Sequence, residues 1–208
     1  MRESVTTDRD EAIRAALLPW LHSFVPLEPD SILIEELGIE HGRSRIDVAV
    51  IGSLVYGFEI KAGLDSLARL HRQVWHYDRL VDLAYVVLTE NHHASAAPSV
   101  PKHWGLIVAE ARLATIEFRI ERHAQRNLNR VPECLARLLW RDEALATLVS
   151  LGLDKGFRHK PARTLHSRLS EALDLDGLSS LVWEQVRNRE NWGDRYKRPV
   201  PMSTLSLA

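Results

Sequence analysis

Three residues in this chain could share one piece of chemistry. Asp47 lies in the stretch SRIDVAVI (44–51), and Glu59 and Lys61 lie in YGFEIKAG (56–63). Both stretches are rich in Ile, Val and aromatic residues and read as strands joined by a tight turn. Residues two apart on a strand leave the same face, so Glu59 and Lys61 point together while Phe58 and Ile60 point the other way. A three-residue loop (52–54) puts Asp47 opposite Glu59, with Cβ atoms about 5 Å apart. A two-residue loop at Gly52–Ser53 makes them diagonal neighbours and needs a bulge to bring the faces into agreement. Two carboxylates that close repel unless a positive charge lies between them. Mg²⁺ or Mn²⁺ suits that place, with hard oxygen ligands from one or two carboxylates and the rest from water or phosphate. A lysine one pleat along can hold or deprotonate a water, or neutralise charge developing on phosphorus. The set therefore suits metal-assisted attack of water on a phosphodiester. The plain alternative is two exposed acids and a lysine in a surface ion network, and a lone E-x-K carries little by itself.

The elements that must position these residues follow from periodicity. Ile13, Leu17 and Leu21 recur at helical spacing behind Thr and Asp caps, which predicts a first helix over roughly 8–23 with Pro19 as a kink. SILIEELGI, SRIDVAVI and LVYGFEIKA read as three strands. Asp65 or Ser66 caps a second helix, about 66–82, with Leu67, Leu70, Val74 and Leu80 on its apolar face. LAYVVL is a short continuous apolar run, which fits a fully buried strand. TENHHASAAPSVPKH reads as a polar loop, and WGLIVAE and ATIEFRIER as two more strands, the second alternating as an edge strand does. After AQRNLNRV, which reads as a linker, the chain turns helical: PECLARLLWRDEALATLVSLGL, TLHSRLSEAL and LSSLVWEQVRNREN.

The order helix, three strands, helix, strand, together with RIDVAVI and GFEIKAG, resembles the PD-(D/E)XK phosphodiesterase superfamily. The longer stretch YGFEIKAGLDSLARLHRQVWHYDRLVDLAYVVL is similar to a bacterial subgroup of largely unassigned function. The resemblance covers about residues 8–110 and implies a restriction-endonuclease-like α-β-β-β-α-β core with a mixed central sheet. Asp47 would be its first acid, although Ile46 and not Pro precedes it; Glu59 and Lys61 would be its (D/E)-x-K. It implies a nuclease that hydrolyses DNA phosphodiester bonds, with Asp47 and Glu59 holding Mg²⁺ or Mn²⁺ and Lys61 positioning water. Two other readings stay open: a catalytically inactive module of the same fold that binds DNA or a protein partner, and an RNA-cleaving nuclease or toxin. Many nucleases that cut both strands pair up, so a homodimer is also open.

Helix 2 carries Gln73 and Tyr77, one turn apart on one face, similar to the Q-x-x-x-Y of nucleases of the RecB type. They could order a phosphate or a water, with Arg69 or Arg72 on the backbone; a plain polar helix face is the alternative. A further acid often found in the superfamily would be Glu36 or, second, Glu11. Glu35 and Glu36 face opposite ways on an ideal strand, so only one could reach the site. Arg45 leaves the same face as Asp47 and could orient it or bind phosphate.

The whole chain of 208 residues has a net charge of −1, but residues 1–118 carry −6 and residues 119–208 carry +5. This suggests acidic and cationic work in different regions. Lys155, Arg158, Lys160 and Arg163, with His159, form a cationic turn between two helices that could contact nucleic acid; the tail adds Arg187, Arg189, Arg195, Lys197 and Arg198. The division expected is a nuclease-like core over 1–123 and a helical, basic region over 124–208. At 45% hydrophobic and 26% charged residues the composition is ordinary for a globular protein. No run of about 18 apolar residues suggests a membrane span, and the polar N-terminus has no signal-peptide core. The single cysteine, Cys134, suits a reducing cytoplasm and reads as a small buried hydrophobe. The histidines at 92–93 lack a second ligand pair for zinc, and Trp75, Trp140 and Trp183 read as core anchors.

Overall fold

The computed structural model describes residues 10–26, 28–39, 42, 44–62, 69–112, 115–190, 192 and 199–204. Ile13, Leu17 and Leu21, one helical turn apart, are all fully buried. They are the inner face of α1 (Asp10–Phe24), which continues through Pro19. Three strands follow: β1 (Ile32–Ile39), β2 (Ser44–Ile51) and β3 (Val55–Lys61). Then come α2 (Leu70–Tyr77), β4 (Leu83–Thr89), α3 (Glu90–Ala96), β5 (Gly105–Arg112) and β6 (Thr115–Arg122). The chain ends with α4 (Pro132–Ala136), α5 (Arg141–Ser150), α6 (Ala162–Ala172), α7 (Leu175–Arg187) and the short β7 (Val200–Pro201).

The fold is a mixed α/β one around a seven-stranded sheet in the order β6-β5-β4-β3-β2-β1-β7. β1, β2 and β3 pair antiparallel, β3, β4 and β5 pair parallel, and β6 closes one edge antiparallel. β4 is central and almost wholly buried, and the edge strand β6 alternates between exposed and half-buried residues, as their sequence patterns anticipate. The β2–β3 register runs from Ile51–Val55 to Val48–Phe58 around a three-residue loop, the first of the two loops allowed by the sequence.

Each sheet face carries a core. α1 packs on Leu33, Val48, Val50, Phe58, Ile60, Val87 and Ile107. The opposite face, with Ile34, Leu37, Ile46, Ala49 and Ile51, shares a cluster with α2 and with Leu135, Leu148, Leu165, Val182 and Trp183 of the C-terminal helices. Inward residues on one face normally recur every second position. Here Ile34 and Leu37 on β1, and Ile46 and Ala49 on β2, face the same cluster three residues apart. The alternation slips at Glu36 and Asp47, and Glu36 takes the left-handed φ of 55°.

Several local expectations change. Residues 90–96 form a helix rather than a loop, with extended Thr89 at its N-cap and Glu90 in its first turn; the segment has no apolar stripe to announce it. Helix 2 ends at Tyr77 rather than 82, and its expected start, with Asp65, Ser66 and Leu67, lies outside the described residues. The 123–131 segment has no regular structure, yet it is pinned: Asn127 is buried and donates to the Asp78 and Val81 carbonyls at 2.8 Å each. Trp183 is a core residue, but Trp75 and Trp140 are 50% and 38% exposed, because each stacks under an arginine, Arg79 and Arg189, instead of entering the core.

Gly57 lets α2 lie close on β3. A Cβ there would sit 3.1 Å from the Tyr77 ring and 3.2 Å from Val81. Tyr77 is fully buried, so its ring has little room to retreat. Gly57→Ala should lower stability by about 1–3 kcal/mol. The measurement is a urea midpoint at constant m-value; an unmoved midpoint would mean that α2 can shift off β3.

Candidate active site

β2 and β3 part at Asp47. Val48–Phe58 is their last paired step. One residue on, the Asp47 carboxylate accepts the Ile60 N–H at 2.9 Å, and the Asp47 N–H donates to the Tyr77 hydroxyl at 3.0 Å. That hydroxyl donates to Glu59 Oε2 at 2.7 Å, and Lys61 Nζ donates to Glu59 Oε1 at 2.5 Å. The parted strands open a cleft of about 270 Å³ lined by Arg14, Glu36, Asp47, Glu59, Lys61 and Gln73; Arg45, Arg69 and Arg72 line it as well.

Glu59 and Lys61 are 0% and 1% exposed, so the pair is not a solvated strand face. Burying charges is costly unless partners offset it. Burial pushes the Asp47 carboxyl up to about 6, opposed by the Ile60 N–H and the Arg14 and Lys61 charges. Burial, and then the Asp47 charge, push Glu59 up to about 8 against the pull of Lys61. Burial and the Glu59 charge raise the Tyr77 hydroxyl well above its ordinary value, which keeps it a donor at neutral pH.

Arg14 on α1 is a member of this site that sequence reasoning missed. It reaches Glu36 at 2.5 Å, Asp47 at 3.8 Å, Glu35 at 3.9 Å and Asp10 at 3.4 Å. The available signal was Asp10 and Arg14, one turn apart on helix 1. The left-handed Glu36 breaks the pleat, so both Glu35 and Glu36 approach Arg14, against the expectation that only one could. Arg45 lies 3.3 Å from Glu36 on its other side. Glu11 is exposed and does not line the cleft. A bulky residue held at positive φ beside a buried acid is the kind of outlier that collects at working sites.

The protein-family model described as bacteriophage P4 protein cII matches residues 3–197. The chain belongs to this family. Protein cII of Enterobacteria phage P4 is 24% identical to it over 112 residues, 54% of this chain. The chain spans 42% of that relative's length. A solved protein of unknown function from Silicibacter pomeroyi aligns over 72% of this chain and 94% of its own, at 18% identity and a TM-score of 0.39. That likeness is too low to bear on fold or function.

In this P4 cII family member, the cleft brings together nearly all the candidates from the first half of the chain. Asp47, Glu59, Lys61, Gln73, Arg45, Arg69, Arg72 and Glu36 line it, and Tyr77 lies directly beneath, bonded to Glu59. Lys155, Arg158, Lys160 and Arg163 do not reach it; they stand exposed between α5 and α6 or at the start of α6. Arg195, Lys197 and Arg198 lie outside the described residues. No helix is long and apolar enough to cross a membrane among the described residues.

Raised carboxyl pKa values make a stability prediction. A folded-state acid that holds its proton more tightly than the unfolded chain does adds stability at low pH, and that stability is lost as pH rises through the folded value. For Asp47 the window runs from about 4 to about 6, and for Glu59 it extends to about 8. In chelator, thermal stability should fall between pH 6 and 8, and Glu59→Gln should flatten that limb. An equal slope in the variant would mean that Lys61 neutralises Glu59 fully.

Proposed function

We propose that this protein is a metal-dependent nuclease that hydrolyses DNA phosphodiester bonds, built on a restriction-endonuclease-like core of the PD-(D/E)XK type. The observation that carries the reading is the convergence of Asp47, part-buried at the cleft, with the fully buried Glu59 and Lys61, where two adjacent strands part. The order α1-β1-β2-β3-α2-β4 supports it. So does the β2–β3 register, which runs up to Val48–Phe58, the pair next to Asp47 and Glu59.

The residues present fit a divalent cation. Asp47 and Glu59 are hard oxygen donors, and burial, the largest push on both, holds their carboxyl pKa values above the ordinary range despite the Lys61 charge and, at Asp47, that of Arg14. Among the described residues no three His, Cys, Asp or Glu side chains form a ready-made metal cage. Two carboxylates completed by water and substrate phosphate are a usual arrangement for Mg²⁺. Gln73 Oε1 lines the same cleft, is buried and has no hydrogen-bond partner, which is an acceptor waiting for a water or an ion. When bound, Mg²⁺ or Mn²⁺ would lower the pKa of a nearby water and polarise the phosphoryl oxygen.

The chain's own groups do the rest. Glu59 and Asp47 hold the negative wall of the cleft. Lys61, fixed by Glu59, stands one pleat along to orient the attacking water or to offset charge growing on the phosphorus oxygens. Tyr77 keeps Glu59 in place and caps the Asp47 N–H, so it is a positioning residue. Glu36 is engaged by Arg14 and Arg45 and sets the charge around Asp47. Arg69 and Arg72 supply cations for the phosphates on either side of the reacting one.

Titration calorimetry of Mn²⁺ into the wild type, Asp47→Ala and Asp47→Asn tests the reading. Asn retains an acceptor for the Ile60 N–H and separates charge from fold. The expected result is binding by the wild type only, and Mn²⁺-dependent cleavage of DNA that both variants lack while still folded. No heat from the wild type, even with DNA present, would sink the metal-dependent reading and favour a module that binds without cutting. A DNA and RNA panel, including a 2′-deoxy substitution at the cut, separates hydrolysis by water from an RNA-specific reaction.

A further inference from the structure

A second cavity lies beside the cleft. It holds about 270 Å³ and lies between the β1–β2 hairpin, through Leu37 and Gly38, and the helices α4 to α6, through Arg137, Arg141, Ala162 and His166. Gly38 pairs with Arg45 and Leu37 with Ile46 on β2. Arg45 lines the cleft and its partner Gly38 lines the cavity. Paired residues of an antiparallel ladder lie about 5 Å apart, so the two spaces are neighbours.

Their linings differ. The cleft mixes the acids Asp10, Glu36, Asp47 and Glu59 with Arg14, Arg45, Lys61, Arg69 and Arg72, whereas no acidic residue lines the cavity among the described residues. Arg189 in its wall is committed: it pairs with Glu143 at 2.6 and 2.7 Å and stacks on Trp140 and Trp192. Arg141 is half-committed. It is 41% exposed, touches Asp142 at 2.9 Å, and donates to the Arg158 carbonyl at 2.8 Å. This last bond ties the 154–160 turn to the edge of the cavity. Lys155, Lys160 and Arg163 stand exposed there with no ion pair among the described residues. α6 opens beside them with neither a side-chain cap nor an acid in its first turn, which adds the positive end of its dipole.

We propose that this cavity and the adjoining turn form a phosphate-binding surface for the DNA strand that enters the Asp47–Glu59 cleft, with Arg137 and Arg141 at the cavity wall and Lys155, Lys160 and Arg163 continuing it. The inference rests on the nuclease reading for its substrate, but binding can be measured without cutting. The cations beside the cavity hold the backbone, and the Asp47–Glu59 cleft meets the one phosphodiester placed there. A nucleic-acid surface made this way is read through its salt dependence, because each neutralised phosphate releases a counterion.

The test is fluorescence anisotropy of a labelled 16-base-pair duplex with the full chain, in chelator, over a range of salt. Arg137→Ala with Arg141→Ala should weaken binding about 10-fold or more and reduce the salt slope by about 1–2. Arg137→Lys with Arg141→Lys should recover most of the loss. Lys155→Glu with Lys160→Glu, both exposed and without packing roles, should weaken binding similarly without moving the thermal midpoint. Unchanged affinity and slope in the alanine and glutamate pairs would overturn the proposal, as would a wild type that does not bind DNA at low salt. DNA binding lost in the variants, in a wild type that never cleaves, would keep this surface and overturn only the nuclease reading.

Discussion

The Asp47 carboxylate stands in for a rung of the β2–β3 ladder. Buried main-chain N–H groups have to be paired, and where the strands part the Ile60 N–H finds Asp47 Oδ2 instead of a carbonyl. The same residue's own N–H is turned to Tyr77. One side chain thus closes the hydrogen-bond account of the opening and supplies its first acid. The cleft exists because the strands separate, and they can separate because an acid occupies the gap. A hydrophobic residue at 47 would either leave the Ile60 N–H orphaned in the opening or draw the strands together and close the cleft.

Around this joint, charge is arranged in alternation. Asp10, Arg14, Glu36 and Arg45 form one chain of contacts, and Asp47 meets it through Arg14. Lys61 and Glu59 form a second, deeper pair. Both central carboxyls are nevertheless pushed towards their neutral forms, chiefly by burial. At Glu110 the balance is the reverse: the hydrogen bond from Arg119, with Arg112 beside it, pulls the carboxyl below its ordinary value. The contrast between these two clusters in one molecule follows how far each acid is removed from water.

Most of the positions that build the cleft were legible as pattern. The Ile, Val and aromatic content of SRIDVAVI and YGFEIKAG marked the strands, two loop lengths stayed open of which the protein takes the three-residue one, and the helical spacing of Gln73 and Tyr77 brought both to the site. What was not legible came from breaks in pattern. The slip at Glu36 and Asp47 cannot be read from residue types, because glutamate rarely takes positive φ; it rotates Glu36 towards α1 and makes Arg14 a partner. Helix α3 has a polar composition whose helical state is set by its cap and by packing between β4 and β5. Trp75 and Trp140 looked like core residues by type, but cation stacking offers an aromatic ring another place to lie.

The C-terminal helices add a geometric constraint rather than a loose appendage. Leu135, Leu148, Leu165 and Val182 enter the same apolar cluster as Ile34, Leu37 and Ile46, next to the slip in β1 and β2. Arg130 ties the start of this region to the sheet through Asp82 at 2.9 Å and to α7 through Asp176 at 2.8 Å. Interiors packed this way are stiff, so the cationic turn between α5 and α6 is held at a set distance from Asp47. Flexible lysines and arginines gain affinity for a polyanion when their backbone is already fixed, since less order has to be imposed on binding. The net-positive second part of the chain therefore presents its exposed turn on a frame fixed to the sheet rather than on a free end.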